Sequence, residues 1–93
     1  MTRLFISLVL GLLISAHAAY ASERRVTLSV SNMFCEACPY IVKKTLESVP
    51  GVAKATVSFK DKTAIVVFDD SKAGVKDLTA ATAKVGFPSE LKS

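Results

Sequence analysis

Indole, imidazole and long apolar runs are scarce in this sequence, and each shortage excludes something. Tryptophan is absent, and aromatic residues make up only 8% of the 93 residues. The lysines, among them Lys43, Lys44, Lys60, Lys62, Lys72 and Lys76, are scattered along the chain. Nucleic-acid binding needs a concentrated basic footprint interleaved with stacking aromatics, so that class of partner is set aside. The one histidine, His17, lies in an N-terminal stretch that reads as a leader. Beyond it no imidazole remains for acid–base catalysis or metal ligation. A membrane-spanning helix needs roughly 20 apolar residues. The apolar stretch Leu4–Ile14 is about half that length before Ser15 and His17 intervene.

That short stretch has another reading. Arg3 supplies a positive charge ahead of it, and Ala19-Tyr20-Ala21 supplies small residues in the pattern of a cleavage site. Together these are the parts of a secretory signal, residues 1–21. The mature chain then begins near Ser22, and in a bacterium it is exported to the periplasm. Removing Arg3 leaves 11 Lys+Arg against 8 Asp+Glu, a net charge of +3 in place of +4. So mild a surplus reads as solvated lysine faces.

Residues 22–93 are enough for one small domain. Val26, Leu28 and Val30 alternate with polar residues, which predicts a strand with one buried face. A helix is expected from about Pro39 to Ser48, since proline is tolerated in a first turn. Cys38, Val42, Leu46 and Val49 form its apolar stripe, widened by Ile41 and Thr45, with Lys43, Lys44 and Glu47 on the wet face. Val49-Pro50-Gly51 stops it. Val52–Phe59 reads as a strand facing inward through Val57 and Phe59. Lys60-Asp61-Lys62 reads as a turn, and Thr63–Phe68 as a strand with Ala64, Val66 and Phe68 inward. The short link makes these two an antiparallel hairpin. A second helix is expected from Val75 to about Val85, with Val75, Leu78, Thr82 and Val85 inward, Gly74 as N-cap and Asp77 in its first turn. Gly86 ends it, and Phe87–Leu91 closes the chain as an edge strand marked by Pro88. The order β-α-β-β-α-β is the split βαβ, or ferredoxin-like, arrangement: an α+β sandwich with two helices on one face of a four-stranded antiparallel sheet.

Both cysteines, Cys35 and Cys38, sit where the first strand pattern gives way to the first helix pattern. Cys35 falls on the loop and Cys38 at the helix N-terminus, where free amides and the helix dipole favour thiolate over thiol. Cys35, on the loop, should be the more exposed sulfur and the first to react. Three chemistries suit such a pair. A structural disulfide would close a loop of only four residues and staple no two elements together. Thiol–disulfide exchange fits the helix start and the aromatic Phe34 before the first cysteine, but the chain is short for a substrate groove. Metal binding fits best: two sulfurs with no histidine fall short of the four ligands zinc prefers, and suit ions content with two thiolates, chiefly Hg(II) and Cu(I).

The run Met33-Phe34-Cys35-Glu36-Ala37-Cys38 on the first loop of such a chain resembles the heavy-metal-associated domain family, whose usual motif is G-M-T-C-x-x-C. The resemblance covers essentially residues 22–93. Within the family the chain looks like the periplasmic mercury carriers of bacterial mercury resistance. The features are the secretory signal, Cys-Glu-Ala-Cys-Pro with Lys43-Lys44 downstream, Phe68-Asp69-Asp70, and Gly86-Phe87-Pro88-Ser89. The resemblance implies a non-enzymatic monomer whose Cys35 and Cys38 capture Hg(II) as cargo. It further implies exchange with small thiols and delivery to an inner-membrane mercury transporter, from which the ion reaches a cytoplasmic reductase. Cu(I) is the alternative cargo in the same fold.

Three residues depart from the family pattern. Asn32 replaces the usual glycine, Phe34 the usual threonine, and Phe87 the tyrosine typical of mercury carriers. Asparagine tolerates unusual backbone angles, so the loop is expected to bend as required. Met33 is either a third, thioether ligand or a core anchor for the loop, and the anchor is the expectation. Glu36 is read as a solvated loop residue rather than a weak ligand. Tyr40 lies one turn from Cys38, at the site or on the surface beside it. Phe87 is read as core rather than as a cover over the site.

Overall fold

Alternation along the strands decides which face of the sheet the helices cover. The computed structural model describes residues 22–92; the predicted signal, residues 1–21, lies outside the described residues. Six elements follow in order: β1 (Glu23–Val30), α1 (Cys38–Glu47), β2 (Val52–Ser58), β3 (Thr63–Asp69), α2 (Val75–Lys84) and β4 (Ser89–Leu91). The strands form one sheet in the order β2-β3-β1-β4 with every neighbouring pair antiparallel. This is the expected ferredoxin-like α+β sandwich.

The inward residues of the central strands, Val26, Leu28 and Val30 from β1 and Ala64, Val66 and Phe68 from β3, are all buried. They pair across the ladder as Val26 with Val66 and Leu28 with Ala64, so one face of the sheet is continuously apolar. Val42 and Leu46 from α1 and Leu78 from α2 close the core over it. Thr82 of α2 is fully buried, and its hydroxyl is satisfied by the Thr79 carbonyl at 3.2 Å and the Ser89 hydroxyl at 2.6 Å. That last bond ties α2 to β4.

Both helices have legible ends. Pro39 occupies the first turn of α1. Gly74 is the N-cap of α2, and the Asp77 carboxylate accepts its N–H at 2.8 Å. Glu47, at the last turn of α1, pairs with Lys43 one turn back and accepts the Ala55 N–H of β2 at 3.3 Å. It therefore docks α1 on the edge strand instead of facing only water. These contacts, the Lys43 hydrogen bond first, hold its carboxyl below the ordinary value.

Several expected inward positions are corrected. β2 ends at Ser58, so Phe59 belongs to the following turn and is 41% exposed. There the Lys62 ammonium lies 3.8 Å from the ring centroid, giving the ring a cationic partner outside the core. Val57, by contrast, is half-buried and packs against the core as expected, with Ala55 the fully buried residue on the same face of β2. Ile41 is exposed, because the stripe through Cys38, Val42 and Leu46 already fills the gap under α1. Val85 is exposed as well, since α2 ends at Lys84 and Val85 is its C-cap rather than part of the inward stripe. The closing strand is shorter than expected and starts at Ser89, after Pro88.

Candidate metal centre

Strand β1 is central in the sheet, and its last residue leads directly into the loop that carries the cysteines. Ser31 donates its N–H to the Pro88 carbonyl at 2.8 Å, so the loop leaves the sheet beside the start of β4. Asn32 then takes a left-handed backbone conformation, φ +68°. Glycine is the cheapest residue there and asparagine the next best, which accounts for this departure from the family pattern. Its side chain adds something glycine lacks: Nδ2 donates to the Gly86 carbonyl at 3.2 Å.

Gly86 is fixed in turn by the end of α2. The Gly86 N–H reaches the Ala83 carbonyl at 3.0 Å and the Phe87 N–H reaches the Thr82 carbonyl at 2.8 Å. With Gly86 at φ +96°, this pair of bonds is a Schellman cap. Phe87 follows it into the core and is buried, as expected of a core residue.

Met33 is fully buried in the core cluster, which makes it the anchor of the loop. Phe34 turns outward and is 79% exposed; it does not shield the sulfurs by burying itself over them. Cys35, Glu36 and Ala37 are exposed as well. Cys38 opens α1 and is 5% exposed, so its sulfur is rooted under the helix while Cys35 stands on the open loop. The Cys38 N–H donates to the Cys35 carbonyl at 3.1 Å, and the Cys35 N–H points at Cys38 Sγ at 3.2 Å.

The two sulfurs are joined in a disulfide, with the Cα atoms 5.2 Å apart. The pair is therefore in the oxidised state, in which neither sulfur can ligate an ion. Two electrons and two protons convert it to the dithiol. Among the described residues no third histidine, cysteine or carboxylate groups with these two as a metal cluster. A soft ion would meet two sulfurs and an open approach, a donor set that fits a two-coordinate thiophilic cation and not a closed tetrahedral zinc. Tyr40 is 62% exposed and its ring carries the Lys44 ammonium at 5.7 Å. Glu36 is exposed on the loop, as expected of a solvated residue.

One contributor escaped the sequence reading. Lys62, read there as a solvated turn residue, donates from Nζ to the Met33 carbonyl at 2.7 Å. No local signal marks it, because the partner is 29 residues away.

Comparison with known proteins agrees with this geometry. The family model for the heavy-metal-associated domain matches residues 27–88. The mercuric transport protein periplasmic component of Pseudomonas aeruginosa is 46% identical over 92 residues, covering 99% of each chain. The crystal structure of oxidised MerP from Ralstonia metallidurans CH34 superimposes with a TM-score of 0.76 at 49% identity, covering 77% of this chain and all of that one. The mercury-bound form of MerP, a periplasmic protein of the bacterial mercury detoxification system, gives a TM-score of 0.69 at 50% identity with the same coverage. Motif, strand order and sequence thus converge, and the chain belongs to the heavy-metal-associated domain family.

Proposed function

We propose that this protein is a periplasmic mercuric-ion carrier. The observation that carries the reading is the Cys35–Cys38 pair, one residue open and one buried, with no third histidine, cysteine or carboxylate grouped with it among the described residues. In the reduced protein Hg(II) displaces two thiol protons and is held by two thiolates. An incoming thiolate, from a small thiol or from an inner-membrane mercury transporter, adds to the under-coordinated ion and displaces one protein sulfur, and a second thiolate displaces the other. Each exchange makes one mercury–sulfur bond as it breaks one, so the ion never travels free. No redox change accompanies it, and no group here acts as a catalyst. The relatives named above, a mercuric transport component and a mercury-bound protein at about half identity, support mercury as the cargo and the periplasm as the place.

The test is a competitive titration of the reduced protein with Hg(II) and with Cu(I) against a small dithiol. One Hg(II) per monomer is expected, held in preference to Cu(I), and lost in the Cys35→Ala, Cys38→Ala double variant. A preference for Cu(I) would reassign the cargo. Catalytic reduction of insulin disulfides, with no metal retained, would replace the carrier with a thiol–disulfide oxidoreductase.

A further inference from the structure

Lys62 occupies an unusual place for a lysine. It closes the turn between β2 and β3 at φ +57°, a left-handed conformation that glycine or asparagine adopts far more readily. Its backbone carbonyl accepts the Val30 N–H at 2.8 Å, where β1 ends and the metal loop begins. Its side chain then reaches over the loop, donating from Nζ to the Met33 carbonyl. The same ammonium lies 3.8 Å from the Phe59 ring centroid and 5.7 Å from that of Phe34. One residue thus grips the metal loop at Val30 through its backbone and at Met33 through its ammonium. None of this contributes to the hydrophobic core, which a solvated turn lysine would leave unchanged.

We propose that Lys62 is a positioning residue for the metal loop. The peptide between Met33 and Phe34 sets the direction in which the chain enters Cys35, and the Lys62 ammonium fixes the carbonyl of that peptide. The buried Met33 side chain and the bond from Asn32 to Gly86 hold Met33 and the residue before it from other sides. The free part of the loop is then limited to Phe34–Ala37, all exposed. Cys35 can close over an ion, or open to release it, while the loop behind it keeps its shape. Without the ammonium, that ordering must be supplied at each capture, and the ion is held less well. In naming how the ion is held, this inference rests on the carrier reading, but its first test does not.

That test is amide hydrogen exchange at Phe34 and Cys35 in the reduced, metal-free protein. Lys62→Met keeps the stem and removes the charge and the donor. It should speed exchange at those two amides about tenfold, as expected for losing a charged hydrogen bond, while Val26 and Val66 in the sheet keep their protection. Lys62→Arg, which restores a cationic donor, should return the parent's rates. Lys62→Asn, which suits the left-handed backbone but cannot reach Met33, should behave as Lys62→Met. Unchanged exchange in Lys62→Met, or parent-like exchange in Lys62→Asn, would overturn the proposal. In the second test, Hg(II) is partitioned between each variant and a small dithiol. Lys62→Met should retain it about tenfold less well and Lys62→Arg should retain it as the parent does. Faster exchange with undiminished Hg(II) retention would overturn the positioning role in capture. If the parent itself took no Hg(II), the carrier reading would fall, and amide exchange alone would decide the grip of Lys62 on the loop.

Discussion

At the scale of single residues, position separates two chemically identical sulfurs. Cys38 opens a helix and is buried; Cys35 sits on the loop and is open to water. Reduced protein treated with a limiting alkylating agent should therefore lose Cys35 first, as peptide mass mapping would show. Equal labelling of the two would contradict the exposure difference. This asymmetry was legible in the sequence, because Pro39 marks a first helical turn and so places Cys38 inside the helix and Cys35 ahead of it. The positive φ of Asn32 was legible in the same way. The side-chain tethers were not. Asn32 meets Gly86 across 54 residues and Lys62 meets Met33 across 29, and no local pattern encodes such a meeting. It appears only once the sheet has brought the three turns to one end.

At the scale of elements, the strong periodicities held and the marginal positions did not. Val26-Leu28-Val30 and Ala64-Val66-Phe68 alternate with period two in the central strands, where both neighbours enforce register. Phe59, Ile41 and Val85 lie at element ends or stripe margins, where an apolar residue has no assured place under the helices. Glu47 shows the reverse case, a charged residue with structural work at the contact between α1 and β2. Its pKa is lowered in the folded protein, chiefly by the Lys43 hydrogen bond, from an ordinary value of 4.5. A lowered folded pKa contributes stability that is present above the ordinary value and disappears as the pH falls through the folded one. Glu47→Gln should therefore melt below the parent at pH 7, and the gap should narrow as the pH drops below 4.5. Melting curves collected at steps between pH 7 and pH 3 would check this; a constant gap would contradict it.

At the scale of the whole molecule, the chemistry sits at one pole of a core that does not depend on it. The disulfide joins residues three apart, so it closes a minimal loop and links no two elements across the core. By chain entropy such a closure contributes at most about 2 kcal/mol, less than half of what a hundred-residue loop would give. The reduced protein should accordingly stay folded, melting no more than about 15 °C below the oxidised form. Amides shared between β1 and β3 should remain protected. Collapse of that protection on reduction would mean that the brace, and not the packed sheet, maintains the fold. The direction of β1 has its own consequence. Ser22, at its beginning, is pinned by its carbonyl to the Asp70 N–H, while the sulfurs lie beyond its far end. Eight strand residues separate the two places by roughly 25 Å. Anything fused ahead of Ser22, whether an affinity tag or a surface tether, would hang from the opposite end and leave the cysteine loop facing outward.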